Sequence, residues 1–219
     1  MRVVLYGASE LGRDVASMAP ALRQAGAAHE IVGFLDDGEG AAGRIFLDLP
    51  VLGGGDWLEG AGDDVAVVVT VGDPAVRRRL VGGLEARGAR FATLVHPSAV
   101  VTPWVSLGEG SVIMAGCTFT AEVEVGVHVM VNPGCTLAHD VVVGDFAYLS
   151  PGVDLAGRAV VEEEAHLGTG AVVIPGRRVG ARSVVGAGAV VVRDVPADVT
   201  VAGVPARILR EHRPPTRRV

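Results

Sequence analysis

Of the six histidines in the 219-residue chain, His139 has the neighbourhood best suited to moving a proton. It is followed at once by Asp140, in the segment NPGCTLAHD of residues 132–140. A neutral imidazole accepts a proton near pH 7, and an adjacent carboxylate can orient the ring and raise its basicity. A solvated histidine on a turn is the plainer reading of a lone His, and the two residues by themselves leave both readings open. The other histidines carry weaker signals: His96 precedes Pro97 and reads as structural, and His166 reads as a surface side chain. Two cysteines, Cys117 and Cys135, do not make a disulfide framework. No His or Cys set has metal-ligand spacing on one face, so no metal is expected.

A second group of candidates lies in the first 93 residues. The run RVVLY (2–6) reads as a strand and leads into GASELG (7–12), then a helical stretch from about 13 to 24. A second strand over 30–35 ends in Asp36-Asp37, and a third over 65–71 ends at Gly72-Asp73 before a helix over about 75–87. Strands alternating with helices imply a small parallel α/β sheet. Ligands of such sheets sit at the carboxyl ends of the strands, where these three polar or glycine-rich segments converge. GASELG is a weak signal, because Ser9 replaces the second glycine of the G-x-G-x-x-G pattern. A tight strand-to-helix turn explains Gly7 and Gly12 equally well. A carboxylate at the Asp36-Asp37 position suits hydrogen bonding to a ribose hydroxyl or a base N–H, although an ordinary solvated turn is also open.

The elements that must position His139 repeat every six residues. From Val95 to Val191 every sixth residue is aliphatic or Phe, including Ile113, Phe119, Leu137, Leu155 and Val173. With 49% of the chain apolar, chance agreement over that run is on the order of one in 100,000. A period of six fits neither a helix nor an amphipathic strand. It fits a solenoid in which each hexad is a short strand plus a turn and three hexads make a triangular coil of 18 residues. Coils stack about 4.8 Å apart, the spacing of neighbouring strands, and about five of them give a prism roughly 25 Å long. Four residues after each aliphatic the side chain is usually small, as at Ser111, Ala147 and Ala165, with Arg177 the clear exception. Cys117 and Cys135 fall in that small set and read as stacked core thiols. His139, two residues past the inward Leu137, falls on the outside of the prism. One coil further on is Gly157, which leaves a gap beside the imidazole and an N–H that could approach a carbonyl oxygen.

This is the hexapeptide-repeat signature, and from residue 95 to about 210 the chain resembles the left-handed β-helix acyltransferases. The closing VAGVPAR (201–207) is similar to their tail segment. The left hand is implied by the resemblance and is an exception to the right-handed crossover rule. With the preceding YGAS, FLDD and VGD strand ends, the whole chain resembles the sialic acid O-acetyltransferase (NeuD-like) group. That group includes N-acetyltransferases acting on nucleotide-linked 4-amino sugars. The fold expected is therefore an α/β domain with a small, Rossmann-like parallel sheet (1–93), followed by a left-handed parallel β-helix with a C-terminal tail (94–219). The resemblance implies acetyl transfer from acetyl-CoA, as co-substrate, to an amine by a homotrimer. His139 is then the general base, Asp140 its tuning partner and Asn132 a polar residue near the active site. Acetyl-CoA contacts are implied at Tyr148, Gly157, Thr169 and Ala187, the last two in a column of small residues suited to the floor of a pantetheine groove. Many members carry His at the position of Tyr148, although a phenol also hydrogen-bonds, and His166 lies in the same column one coil on. Ser9, Glu10, Leu11, Asp36, Asp37 and Gly72 are implied to hold the nucleotide. Glu10-Leu11 stands where many members carry Gly-His, and a carboxylate beside a diphosphate is unfavourable, so Glu10 turns away or the acceptor differs. Transfer to a sugar hydroxyl such as that of sialic acid is an alternative. A scaffold or zinc-dependent trimeric β-helix is a reading of another class.

Net charge of −6 argues against a nucleic-acid partner. The basic cluster Arg210 to Arg218 reads as a solvated tail. The first apolar run, Val3 to Tyr6, is too short for a signal peptide, and no stretch reaches the ~18 apolar residues of a membrane helix. With free thiols, a cytoplasmic protein without a membrane span is expected.

Overall fold

The computed structural model describes residues 1–212; residues 213–219, which include most of the basic C-terminal cluster, lie outside the described residues. The first unit runs β1 (Arg2–Tyr6), α1 (Glu10–Ala16), α2 (Ala19–Gln24), β2 (Glu30–Leu35), β3 (Ile45–Phe46), β4 (Leu49–Gly53), a 3-10 turn (Gly55–Gly60), β5 (Val65–Val69) and α3 (Pro74–Glu85). The sheet order is β3-β4-β2-β1-β5. β1, β2, β4 and β5 are parallel, and β3 pairs antiparallel with β4 as a hairpin. All five residues of β5 are buried, as an apolar run in a covered parallel sheet requires. The expected helix over 13–24 begins earlier, at Glu10, and is two helices. Pro20 has no N–H to give, and its ring would collide with the Ala16 carbonyl, so one continuous helix cannot run through it. β5 stops at Val69, two residues short of the strand expected from sequence.

From Leu94 the chain is a parallel β-helix of two-residue strands. Face I holds six of them, from Leu94–Val95 to Val184–Val185, extended by Val199–Ala202 and the antiparallel Arg207–Glu211. Face II holds six, from Val100–Val101 to Val190–Val191, and face III five, from Ser106–Leu107 to Arg178–Val179. Between these two-residue strands each coil-to-coil pairing steps by 18 residues, as in Met130↔Tyr148 and Leu137↔Leu155. The second residue of each strand points inward. From Ile113 to Val191 the whole six-residue series is buried, most of it at 0% exposure, and the small residues Cys117, Cys135, Ala147 and Ala165 are buried with it. Arg177, the exception in sequence, is partly exposed. Turns between faces need a left-handed residue. Glycine supplies it at Gly116, Gly134, Gly152, Gly170 and Gly188 on the I–II corner, whereas Glu122, Asp140 and Arg158 take positive φ on the II–III corner. Of these three, Asp tolerates that conformation best, because its short polar side chain can hydrogen-bond locally.

The α/β unit packs on face I, and buried Arg77 of α3 fastens it there. Arg77 is 1% exposed. Its Nε donates to the His128 carbonyl (3.1 Å), Nη1 to those of Val71 (2.7 Å) and Gly72 (3.3 Å), and Nη2 to those of Phe146 (2.6 Å) and Ala147 (3.2 Å). Burial pulls its pKa down to about 10. Beside it, His128 stacks on Phe146 (centroids 5.1 Å apart) and meets Phe91 edge-on (4.7 Å). The fit is close: a Cβ on Gly110 would collide with the His128 ring.

Burial, with Arg77 acting in the same direction, lowers the pKa of His128 from 6.5 to about 4. The folded protein therefore holds this ring neutral. Its contribution to stability is fully present above about pH 6.5 and is lost as pH falls toward 4. His128→Phe keeps the aromatic stack and removes the proton site, so its urea midpoint should fall less steeply between pH 7 and 4.5. Parallel pH profiles for the two proteins would refute this assignment.

Candidate active site

His139 lies on the II–III corner, between the strands Thr136–Leu137 and Val142–Val143. Asp140 turns the chain there with φ 59°. The His139 Nδ1 sits 2.6 Å from the Asp140 Oδ2. With the Nδ1 proton donated to the carboxylate, Nε2 is the basic nitrogen. That contact, aided by Glu122 and Arg158 of the same corner, holds the Asp140 carboxyl below its ordinary range. Both side chains are exposed.

Gly157 lies one coil beyond. A Cβ built on Gly157 would be 2.5 Å from His139 Nε2. The ring therefore fills the space that a side chain at 157 would take, so the gap expected beside the imidazole is occupied by the imidazole itself. Thr169 and Ala187 are exposed on the I–II corner, at the other edge of face II from His139. Asn132 is on the I–II corner too, but it is 3% exposed and its Nδ2 donates to the Leu149 carbonyl (2.7 Å).

Tyr148 faces the α/β unit from face I. A Cβ on Gly72 would be 3.8 Å from Tyr148 Cε2 and 4.0 Å from Leu11 Cδ2. Three residues picked out from distant parts of the sequence thus meet in one place. The Tyr148 and His166 rings lie 4.7 Å apart, and the His166 Nε2 is 3.4 Å from Ser150 Oγ. His166 is partly buried, and that burial lowers its pKa.

The carboxyl ends of β1, β2 and β5 converge as expected. Ser9 Oγ donates to the Thr70 carbonyl at 3.4 Å, and Thr70 Oγ1 to the Gly7 carbonyl at 2.9 Å. Asp36 and Asp37 have internal partners that their sequence position did not reveal. Asp36 accepts from the N–H of Ala8 (3.0 Å) and of Gly38 (2.8 Å). Asp37 accepts from the Gly55 N–H (2.8 Å) and the Tyr6 hydroxyl. The Tyr6 contact lowers the Asp37 pKa. Glu10 is exposed in the first turn of α1, where a carboxylate complements the helix dipole.

Arg77 is the residue that sequence reasoning missed. Its run, Arg77-Arg78-Arg79, reads as a solvated helix face, and only the docking of α3 on face I shows the first of the three to be buried. Among the described residues no group of three or more His, Cys, Asp and Glu is arranged to hold a metal, and no helix is long and apolar enough to cross a membrane.

Gly157→Ala should push the imidazole off its seat. The His139 ring resonances should shift while the melting temperature stays near that of the parent. Unchanged ring resonances in the folded variant would show that the ring does not rest on residue 157.

Residues 2–84 match the PglD N-terminal domain family. Over 52 residues the chain is 44% identical to UDP-N-acetylbacillosamine N-acetyltransferase of Bacillus subtilis, and the match spans 24% of each protein. Solved structures extend the likeness over nearly the whole chain. PerB from Caulobacter crescentus, determined in complex with CoA and GDP-perosamine, is 36% identical with a TM-score of 0.84, over 96% of this chain and 98% of that one. The acetyltransferase domain of PglB from Neisseria gonorrhoeae, in complex with acetyl coenzyme A, is 32% identical with a TM-score of 0.86, over 95% and 98%. The α/β unit, the β-helix and their order are common to these proteins and to this chain, which belongs to the hexapeptide-repeat, left-handed β-helix family of sugar N-acetyltransferases.

Proposed function

We propose that this protein transfers the acetyl group of acetyl-CoA to the amino group of a nucleotide-linked amino sugar, with His139 as general base. The observation that carries the reading is the His139–Asp140 contact of 2.6 Å, with Nε2 facing the bare backbone of Gly157. The amine nitrogen attacks the thioester carbonyl and gives its proton to His139 Nε2. The carbon–sulfur bond breaks, and the proton returns to the departing thiolate. Asp140 fixes the tautomer and stabilises the imidazolium that forms. The Gly157 N–H is the candidate donor to the developing oxyanion.

In this reading the chain divides at about residue 93 into an acceptor-binding unit and a β-helix that binds acetyl-CoA. Ser9, Leu11 and Gly72 line the acceptor's site, and Asp36 and Asp37 use their remaining lone pairs for the nucleotide. Glu10 points to solvent. Thr169, Ala187 and Tyr148 contact acetyl-CoA, and Asn132 supports their corner from within. The II–III corner that carries His139 is the vertex opposite face I, where Gly72 and Leu11 meet Tyr148. One chain therefore keeps its base and its acceptor unit apart, and a homotrimer would bring the base of one copy to the acceptor unit of the next. The reaction belongs in the cytoplasm, where acetyl-CoA and nucleotide sugars are available.

Purified protein should release CoA from acetyl-CoA with one member of a panel of UDP- and GDP-linked 4-amino sugars, and His139→Ala should abolish that release. Turnover with free sialic acid instead would move the assignment to hydroxyl transfer. Mixing is a second test. His139→Ala and Gly72→Trp, each inactive alone, should regain activity when co-expressed, because a shared site then contains one intact half from each. Failure to complement would place the whole site in one chain.

A further inference from the structure

Arg77 is a cation buried at the seam between the two units, and among the described residues no carboxylate forms an ion pair with it. Its guanidinium has five N–H groups, and five main-chain carbonyls receive them. Two of the five, Val71 and Gly72, belong to the loop after β5. The other three, His128, Phe146 and Ala147, belong to two stacked III–I turns of the β-helix, and Ala147 directly precedes Tyr148. The same ion therefore holds both sides of the gap in which Gly72 meets Tyr148.

The arrangement is costly. A buried charge loses its hydration, and here the groups that touch it are neutral main-chain dipoles, with Asp73 and Glu164 acting from further off. His128 and Phe146 turn with positive φ, 53° and 58°, as Glu164 and Arg182 do on the same corner, so the turns themselves are those of the repeat. Arg78 lies over the Phe146 ring, 4.5 Å from its centroid, and pairs with Glu163 at 2.6 Å. An apolar contact could have joined two units without this expense. A planar five-donor fork fixes distance and angle between two loops, which a greasy contact or a flexible ammonium does not.

We propose that Arg77 is a positioning residue for the transfer reaction: it sets the spacing between the Val71–Gly72 loop and the Tyr148 wall of face I, and so shapes the acceptor end of the site. It touches no substrate and acts through Gly72 and Tyr148. Its kinetic consequence rests on the acceptor reading given above; its structural consequence does not.

The test uses the full chain with Arg77→Lys, which keeps the charge but not the fork, and Arg77→Met, which fills the space without a buried ion. Hydrogen exchange should accelerate in segments 70–73 and 146–149 of the variants, with the distal coils, 154–191, unchanged. KM for the nucleotide amino sugar should rise about tenfold or more, and KM for acetyl-CoA by less, because of its three contacts only Tyr148 borders the seam. Unchanged exchange in both segments overturns the proposal whatever the activity. Local acceleration with both KM values and kcat at parental levels overturns it too, since the spacing would not matter. Exchange rising everywhere together marks Arg77 as a general stability element and overturns it. If the parent turns over no nucleotide amino sugar, the acceptor reading fails, and the exchange result alone decides whether Arg77 holds the two loops.

Discussion

Stacked aliphatic side chains spaced 18 residues apart govern nearly everything else in this protein. Each coil of the β-helix buries its three inward residues against those above and below, so a slip of one residue would turn a Val or Leu outward and a polar neighbour inward. Register is thus fixed by the core, and the outside of the prism inherits it. His139 lies over Gly157 because Leu137 lies over Leu155. The catalytic geometry proposed for the corner is a consequence of packing on the other side of the backbone.

The same register sets a limit. A prism has three corners, and side chains on one cannot reach another. The His139 corner is opposite the face on which the α/β unit rests, and Thr169 and Ala187 border face II from its other edge. A narrow rigid solenoid gives accurate placement along its axis and none of the concavity that a two-substrate reaction requires. Concavity has to come from an attached unit or another copy, and this chain shows the first directly, with Gly72 and Leu11 set against Tyr148.

The attachment is where the two kinds of order meet. The α/β unit is held by apolar contacts that include Val112 and Met130 of face I, by His128 stacked on Phe146 and met edge-on by Phe91, and by Arg77. Apolar burial supplies most of the adhesion but little directional preference. The hydrogen bonds of Arg77 are directional and give the seam its orientation.

Much of this was legible in the residues. Six-residue periodicity determined the coil, its inward positions and the outward placement of His139, because a side chain's direction in a regular solenoid depends only on its place in the repeat. The 18-residue spacing likewise put Gly157 beside His139 before any coordinates. Local chemistry determined the strand ends that gather at Gly7, Asp36 and Gly72. What only the tertiary structure decided were contacts between positions unrelated by the repeat. The internal partners of Asp36 and Asp37, the break at Pro20 within an apparently helical run, the hairpin of β3 and β4, and the meeting of Leu11, Gly72 and Tyr148 are of this kind. Arg77 is the clearest case: in sequence it is one of three consecutive arginines, and only the docking of α3 onto face I selects which of them loses its water and must find five carbonyls instead.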